Sequence, residues 1–386
     1  MRIFISAGEP SGDLHGSNLI RALNQLDPGV DCAGFGGEYM EAAGCKLLYP
    51  LSRLSAMWIV PVILSAHNFI KLLVEADRSF RQQRPDALVL IDYPGFNWWM
   101  ARRARAHGIP VFYFVPPQLW AWAGWRVKKM RRWVEHVLCS LPFEEAWYRE
   151  RGMTTHYVGH PYFDELPRQM LNGDFIADQQ SRGGRIIGLL PGSRMQEVKH
   201  NLSTLARAAA AIHEKEPDTR FLAACYREAH RELISRYFLD HSLTFVEPCL
   251  GRTPEIIHLS HACIAVSGSV GLELLYRAKP SVIVYRVNSF VRTVTPWFLK
   301  IPFISLVNLL AGKELFPEFL TDKCEAQAVS EHVLRWLAEP LEYQRIKAEL
   351  IQLRGRVAEP GACDRTAHYV MDALGRKPLL RTGRAA

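Results

Sequence analysis

The sequence predicts an α/β fold of two doubly wound domains facing each other across a cleft. Short apolar runs alternate with longer helical patterns along almost the whole chain, the pattern of parallel sheets covered by helices on both faces. At 386 residues the chain is long enough for two domains, each with its own core. A polar, glycine-containing stretch between Gly159 and Gly184 separates two halves that share this alternation without repeating any sequence.

In the first half, strands are expected at residues 2–6, 30–35, 87–91, 110–115, 136–140 and 156–158. The helices between them fall at 13–26, with Leu19, Leu23 and Leu26 on one face, and at 61–81, 97–107 and 143–151. In the second half, strands are expected at 185–190, 220–224, 243–246, 262–266 and 281–285. Helices fall at 195–214, 226–238, 254–259, 270–276, 329–338 and 341–354. The expected division is 1–170, 171–360, and a C-terminal helix with a basic tail over 361–386.

Hydrophobic residues make up 48% of the chain and charged residues 22%, which excludes a disordered protein. The eight cysteines form no C-x-x-C pair, and the closest two are Cys32 and Cys45. That argues against a zinc site and a disulfide framework, and for a reducing compartment. Only Ile3-Phe4-Ile5 precedes the Gly8-Glu9-Pro10 turn, too short for a signal peptide. The longest apolar run, residues 56–64, is interrupted by Pro61 and falls short of a membrane span. A cytosolic, non-integral protein is expected. Its 47 Lys+Arg against 39 Asp+Glu give a net charge of +8. That charge suits nucleic acid, an anionic membrane or an anionic substrate equally well.

Four strand-to-helix turns carry candidate chemistry. Ser6-Ala7-Gly8-Glu9-Pro10-Ser11-Gly12-Asp13 brings backbone N–H groups to a helix N-terminus, with Glu9 at the mouth of the sheet. The plainer alternative is a tight turn capped by Ser11 or Asp13. Asp92 ends the apolar strand 87–91, where it serves either as a general base or as a helix cap. Pro191-Gly192-Ser193-Arg194 offers close backbone approach and a guanidinium suited to phosphate. Ser267-Gly268-Ser269-Val270 repeats the arrangement, and Glu273 one turn later could accept from ribose hydroxyls. The last two together suggest a nucleotide diphosphate site. Walker, Gly-x-Ser-x-Gly and Asp-x-Asp motifs are absent from the sequence, so a P-loop, a hydrolase elbow and a carboxylate-held Mg²⁺ lack their usual residues.

Two further segments are unusually apolar or aromatic. Residues 57–74 place Ile59, Val62, Ile63, Ala66, Phe69, Ile70 and Leu73 on one helical face, with Trp58, Leu64 and Leu72 outside it. The helix is either buried in the core or touches lipid. Trp120-Ala121-Trp122-Ala123-Gly124-Trp125-Arg126 leads into Lys128, Lys129, Arg131 and Arg132. This mixture suits nucleic-acid stacking, a membrane interface or a solvated basic helix.

Taken in order, these motifs resemble the lipid-A-disaccharide synthase family of GT-B glycosyltransferases, two Rossmann-like domains facing across a cleft. The resemblance rests on Ala7–Asp13, Ile91-Asp92 with Pro94 and Phe96-Asn97, Trp120-Ala121-Trp122, Leu141-Pro142-Phe143-Glu144 and Val158-Gly159-His160. It continues through Leu189-Leu190-Pro191-Gly192-Ser193-Arg194, Ser267-Gly268-Ser269 with Leu272-Glu273, Asn308-Leu309-Leu310-Ala311-Gly312 and Gln327. It implies an inverting transfer of 2,3-diacylglucosamine from UDP to 2,3-diacylglucosamine 1-phosphate, making a β-1′,6-linked disaccharide without metal or cofactor.

The resemblance assigns acceptor and lipid to the first domain and UDP-sugar to the second. It makes Asp92 the general base, with Glu9 and Asn97 near the acceptor. Gly192, Ser193, Arg194, Ser267, Gly268, Ser269 and Glu273 fall on the nucleotide side, and Asn308 and Gln327 line the cleft. An anionic inner-membrane surface is expected to meet Trp58, Val62, Leu64, Phe69, Trp120, Trp122, Arg126, Lys128 and Lys129. No nucleic acid partner is expected, and a homodimer is allowed. The chain departs from the family at Trp58, Pro61, Gly95, Pro116 and Gln118, all in the acceptor half. A UDP-N-acetylglucosamine epimerase or a transferase with a soluble acceptor would share the nucleotide motifs but leave residues 57–74 and 120–133 unexplained. A basic nucleic-acid-binding protein would need no UDP site.

Overall fold

The computed structural model describes residues 1–52, 62–288, 292 and 301–375, side chains 62–68 excepted. It divides into two units, Met1–Asp164 with Glu359–Ala386, and Glu165–Ala358.

In the first unit the strands are β1 (Arg2–Ala7), β2 (Asp31–Phe35), β3 (Lys46–Tyr49), β4 (Ala87–Ile91), β5 (Val111–Phe114), β6 (His136–Cys139) and β7 (Thr154–Tyr157). They form one parallel sheet in the order β3-β2-β1-β4-β5-β6-β7. Side chains alternate between two cores, as the two-residue period of a strand requires. Phe4, Leu88 and Leu90 join Phe80, Phe96 and Tyr148 on one side. Ile3, Ile5, Val89 and Ile91 join Leu19, Leu23, Val370 and Met371 on the other. Gly34 is required where β1 and β2 run close, since a Cβ there would lie 1.9 Å from the Ile5 carbonyl oxygen.

The second unit holds β8 (Ile186–Leu190), β9 (Arg220–Cys225), β10 (Val246–Leu250), β11 (Ala262–Val266), β12 (Ser281–Arg286) and β13 (Glu318–Thr321). The order is β10-β9-β8-β11-β12-β13, again all parallel. The doubly wound fold expected from sequence is therefore present twice.

Among the strands, the differences from expectation fall at the sheet edges. Neither β3 nor β13 was expected, while β7 starts two residues earlier and β10 three residues later than expected. These four are the outer strands. Each is only partly buried, so it lacks the continuous apolar run that marks a strand covered on both faces.

The expected division at 170 and 360 shifts as well. The helix Ala362–Ala373 belongs to the first unit, where it packs on the helix Pro10–Leu26. Its N-terminus is fixed by the Asp164 carboxylate, which accepts from the Gly361, Ala362 and Cys363 amides at 2.6, 3.0 and 2.9 Å.

Candidate active site

A doubly wound sheet binds ligands where its strand order reverses, beyond the carboxyl ends of the two strands flanking the reversal. Here that point lies between β1 and β4 in the first unit and between β8 and β11 in the second. All four motif turns follow those strands: Gly8-Glu9 after β1, Asp92-Tyr93 after β4, Gly192–Arg194 after β8, and Ser267–Ser269 after β11.

At the first reversal the backbone is strained. Asp92 and Tyr93 both adopt the left-handed conformation, with φ of 45° and 47°, and Val115 after β5 has φ 52°. Such non-glycine positions cost about 1–3 kcal/mol each and persist only where neighbours hold them. The Asp92 carbonyl oxygen accepts from Asn97 Nδ2 at 2.7 Å and from the Tyr113 hydroxyl at 2.9 Å. Asn97 is itself pinned, accepting from Ser6 Oγ at 2.7 Å and donating also to the Ser6 and Ile91 carbonyls.

Glu9 ends the turn after β1 as the N-cap of Pro10–Leu26, and its side chain makes no capping bond. The Tyr93 ring lies against Gly8, where a Cβ would come within 2.1 Å of it. Burial and then the Glu9 charge raise the Tyr93 phenol above its ordinary pKa. Glu9, Asp92 and Tyr93 are thus assembled at one strand junction.

Two expectations in this unit are corrected. Asn97, grouped with the catalytic residues, is fully buried, and its amide is committed to Ser6, Ile91 and Asp92. It holds the site and does not line it. Asp13 does not cap its own helix. Its carboxylate accepts from the Gly37, Tyr39 and Met40 amides, fixing the N-terminus of the helix Glu38–Ala42.

At the second reversal Gly192 has φ 111°, and exposed Arg194 is the N-cap of the helix Met195–Lys215. The amides expected for a diphosphate already carry an anion. Glu197 Oε2 accepts from the Ser193 and Arg194 N–H groups at 3.1 Å each, and Oε1 accepts from the Arg194 guanidinium at 3.1 Å. Across the reversal, Ser269 is exposed, and a Cβ on Gly268 would meet nothing within 4 Å. Ser267 Oγ donates to the Ile304 carbonyl at 3.3 Å. Glu273 is buried and pairs with Arg277 at 3.0 Å.

Asn308, expected to line a cleft, is buried with its amide bonded to Leu315, Phe316 and Glu318. Glu318 also accepts from the Ile304 and Ser305 amides, so Asn308 fastens the segment that receives Ser267. Gln327 is exposed in the first turn of Ala326–Ala338 and donates to Glu331.

The aromatic segment divides into an anchor and a surface. Trp120 is buried, and its indole N–H donates to Glu144 at 2.9 Å, which corrects its assignment as a lipid contact. Glu144 also accepts from Ser140 N, Ser140 Oγ and Leu141 N, yet burial still pushes its carboxyl up to about 7. Trp122 and Trp125 are exposed, and the Arg126 guanidinium lies 4.8 Å from the Trp122 ring. Lys128, Lys129, Arg131 and Arg132 are exposed beside them.

Trp58 lies outside the described residues, as do the side chains of Val62 and Leu64. Phe69 packs against Phe96 and is partly buried. Leu72, Leu73, Ala76 and Phe80 face the core, while Ile70 and Val74 are exposed, so the buried stripe is rotated from the expected one. Exposed Trp99, on the adjoining helix Pro94–Ala106, had no sequence signal separating it from buried Trp98. Of the departures from the family, Pro116 is buried, Gln118 is exposed, and Gly95 is exposed with open space around it. Among the described residues no helix is long and apolar enough to cross a membrane.

The family described as lipid-A-disaccharide synthetase matches residues 3–371. The lipid-A-disaccharide synthase of Myxococcus xanthus is 34% identical over 376 residues, covering 97% of each chain. That of Thiobacillus denitrificans is 35% identical over 335 residues, covering 86% of this chain and 89% of its own. Among solved structures, a UDP-N-acetylglucosamine 2-epimerase superposes with TM-score 0.66 at 13% identity, covering 97% of each chain. MurG from Acinetobacter baumannii does so with TM-score 0.59 at 11%, covering 96% of this chain and 99% of its own. At such identities these two speak for the fold alone. With the match running through all four turns at the two strand reversals, the chain belongs to the lipid-A-disaccharide synthase family.

Proposed function

We propose that the chain transfers 2,3-diacylglucosamine from UDP to 2,3-diacylglucosamine 1-phosphate, forming the β-1′,6-linked disaccharide 1-phosphate and releasing UDP. The observation that carries this reading is the family match over residues 3–371, which includes both reversal sites. Passing from an α-linked donor to a β-linked product inverts the anomeric carbon, so a single in-line displacement suffices. Asp92 takes the proton of the attacking hydroxyl as the new bond forms. Glu9, at the same junction, orients the acceptor. Arg194, with the Ser193 and Ser267–Ser269 turns, stabilises the charge that develops on the departing diphosphate. Glu197 occupies part of that cradle, so the diphosphate must displace its carboxylate to reach the Ser193 and Arg194 amides. Exposed Gln327 serves the remainder of the donor, while Glu273, buried against Arg277, braces the turn after β11. The reading needs no metal, because Arg194 supplies the positive charge.

The acyl chains of both substrates bring the enzyme to a lipid surface. Trp122, Trp125, Arg126, Lys128 and Lys129 are the docking residues, since indoles favour the headgroup layer and the cations favour anionic lipid. The enzyme would then act from the cytoplasmic face as a peripheral protein.

Mass spectrometry of products from UDP-diacylglucosamine and acylated glucosamine 1-phosphate tests the reaction, and turnover should survive EDTA. A disaccharide formed only with a soluble, unacylated acceptor would sink the lipid assignment. Replacing Trp122 and Trp125 together by Glu should release the protein from anionic vesicles while leaving UDP binding intact.

A further inference from the structure

The proposed base sits on a strained backbone, and the structure shows what holds it there. We infer that Tyr113 is a positioning residue which, with Asn97, clamps the Asp92 carbonyl and so fixes the direction of the Asp92 carboxylate. This rests on the reading of Asp92 as the base.

Two consecutive left-handed, non-glycine residues relax toward ordinary backbone unless something fixes the peptide between them. That peptide's oxygen is the Asp92 carbonyl, and it has two donors on different elements. Tyr113 Oη lies 2.9 Å away on the buried strand β5, and Asn97 Nδ2 lies 2.7 Å away on the helix Pro94–Ala106. Both donors are immobilised. Tyr113 is fully buried with its ring edge-on to Trp98, and Asn97 is held by the Ser6 hydroxyl on β1. Two elements therefore converge on a single backbone oxygen, and a third, β1, braces one of the two donors. Burial, and then the Asp92 charge, raises the Tyr113 phenol above its ordinary value, so the hydroxyl is protonated and donates.

A carboxylate used as a base must meet one hydroxyl within hydrogen-bond reach, and a displacement of about 1 Å costs roughly 10²-fold in rate. Losing one of two donors is partial, so Tyr113→Phe should lower kcat about 10-fold, with donor KM and UDP affinity unchanged. Ser6→Ala, which frees Asn97 from the opposite side, should lower kcat by a similar factor, and the two together should lower it further.

The experiment measures kcat, donor KM and UDP affinity for Tyr113→Phe, Ser6→Ala, the double variant and Asp92→Asn. Reduced kcat with unchanged KM and UDP affinity supports the clamp. Wild-type kcat in Tyr113→Phe beside an inactive Asp92→Asn overturns the clamp and spares the base. A parallel loss of kcat and UDP affinity in both single variants assigns the residues a general structural role and also overturns it. Wild-type turnover in Asp92→Asn overturns the base reading itself. Ser6→Ala decides the matter if Tyr113→Phe does not fold.

Discussion

The two strand reversals are built on the same strand order but held in opposite ways. At the first, between β1 and β4, buried Ser6, Asn97 and Tyr113 lock a strained Asp92-Tyr93 pair. At the second, between β8 and β11, exposed Arg194 and the Ser193 amide are held by a side chain of the same helix turn, Glu197. On the proposed reading the first site holds a proton acceptor, which must be rigid because its reach is one hydrogen bond. On the same reading the second site is a diphosphate cradle, which must exchange, and Glu197 keeps its donors paired in the meantime.

This contrast can be broken at several points. The largest effect should come from Asp92→Asn at the rigid site, a loss of about 10²-fold or more in kcat with UDP affinity retained. Steady-state kinetics beside calorimetric UDP titration would reveal it, and a loss of UDP binding would merge the two sites into one. Arg194→Ala should weaken UDP by about 10-fold or more, the usual worth of a charge-assisted hydrogen bond, with the stability of the fold unchanged. Glu197→Gln has the opposite sign. It keeps the capping geometry and removes the competing charge, so UDP should bind a few-fold more tightly; weaker binding would make Glu197 a support of the cradle and not its placeholder.

The smallest effect concerns stability. Desolvation, and then its neighbour His160, lowers His15 to about 3, while desolvation lowers His160 to about 4 against the opposing charge of Asp164. Unfolded histidines titrate near 6.5, so below that pH the unfolded chain binds more protons than the folded one. The stability these histidines contribute is complete above about 6.5 and is lost progressively as pH falls toward 4 and 3. Glu144 works the other way, its raised carboxyl favouring the fold below its unfolded value and losing that contribution as pH rises through about 7. Urea midpoints measured from pH 7 to 4 should therefore fall, and His160→Phe should flatten the slope. An unchanged slope would mean the pair does not govern acid unfolding.

Much of the site was legible because parallel strands announce themselves. The runs at β4, β8 and β11 carry no polar side chain and β1 is apolar apart from Arg2 and Ser6, since each is buried on both faces, and the turn after each run marks the mouth of the sheet. Asp92 and Ser267 directly follow their runs, and Glu9 and Arg194 stand two and four residues beyond theirs, so the placement of all four was legible. Residues whose side chains turn inward were not legible. Asn97 and Asn308 look like ligand residues in a motif, yet both spend their amides on backbone groups and one neighbouring side chain each.

The sequence by itself determined the fold class, the two repeated sheets and the four turns, because hydrophobic periodicity and turn chemistry are local. Only the tertiary structure decided which side chains face a ligand and which brace those that do. It placed Trp120 on Glu144 and left Trp122 exposed, it set Tyr113 under Asp92 from another strand, and it returned the C-terminal helix to the first unit. Each of these depends on groups far apart in the chain competing for one buried hydrogen bond or one packing surface, and no window of sequence contains both partners.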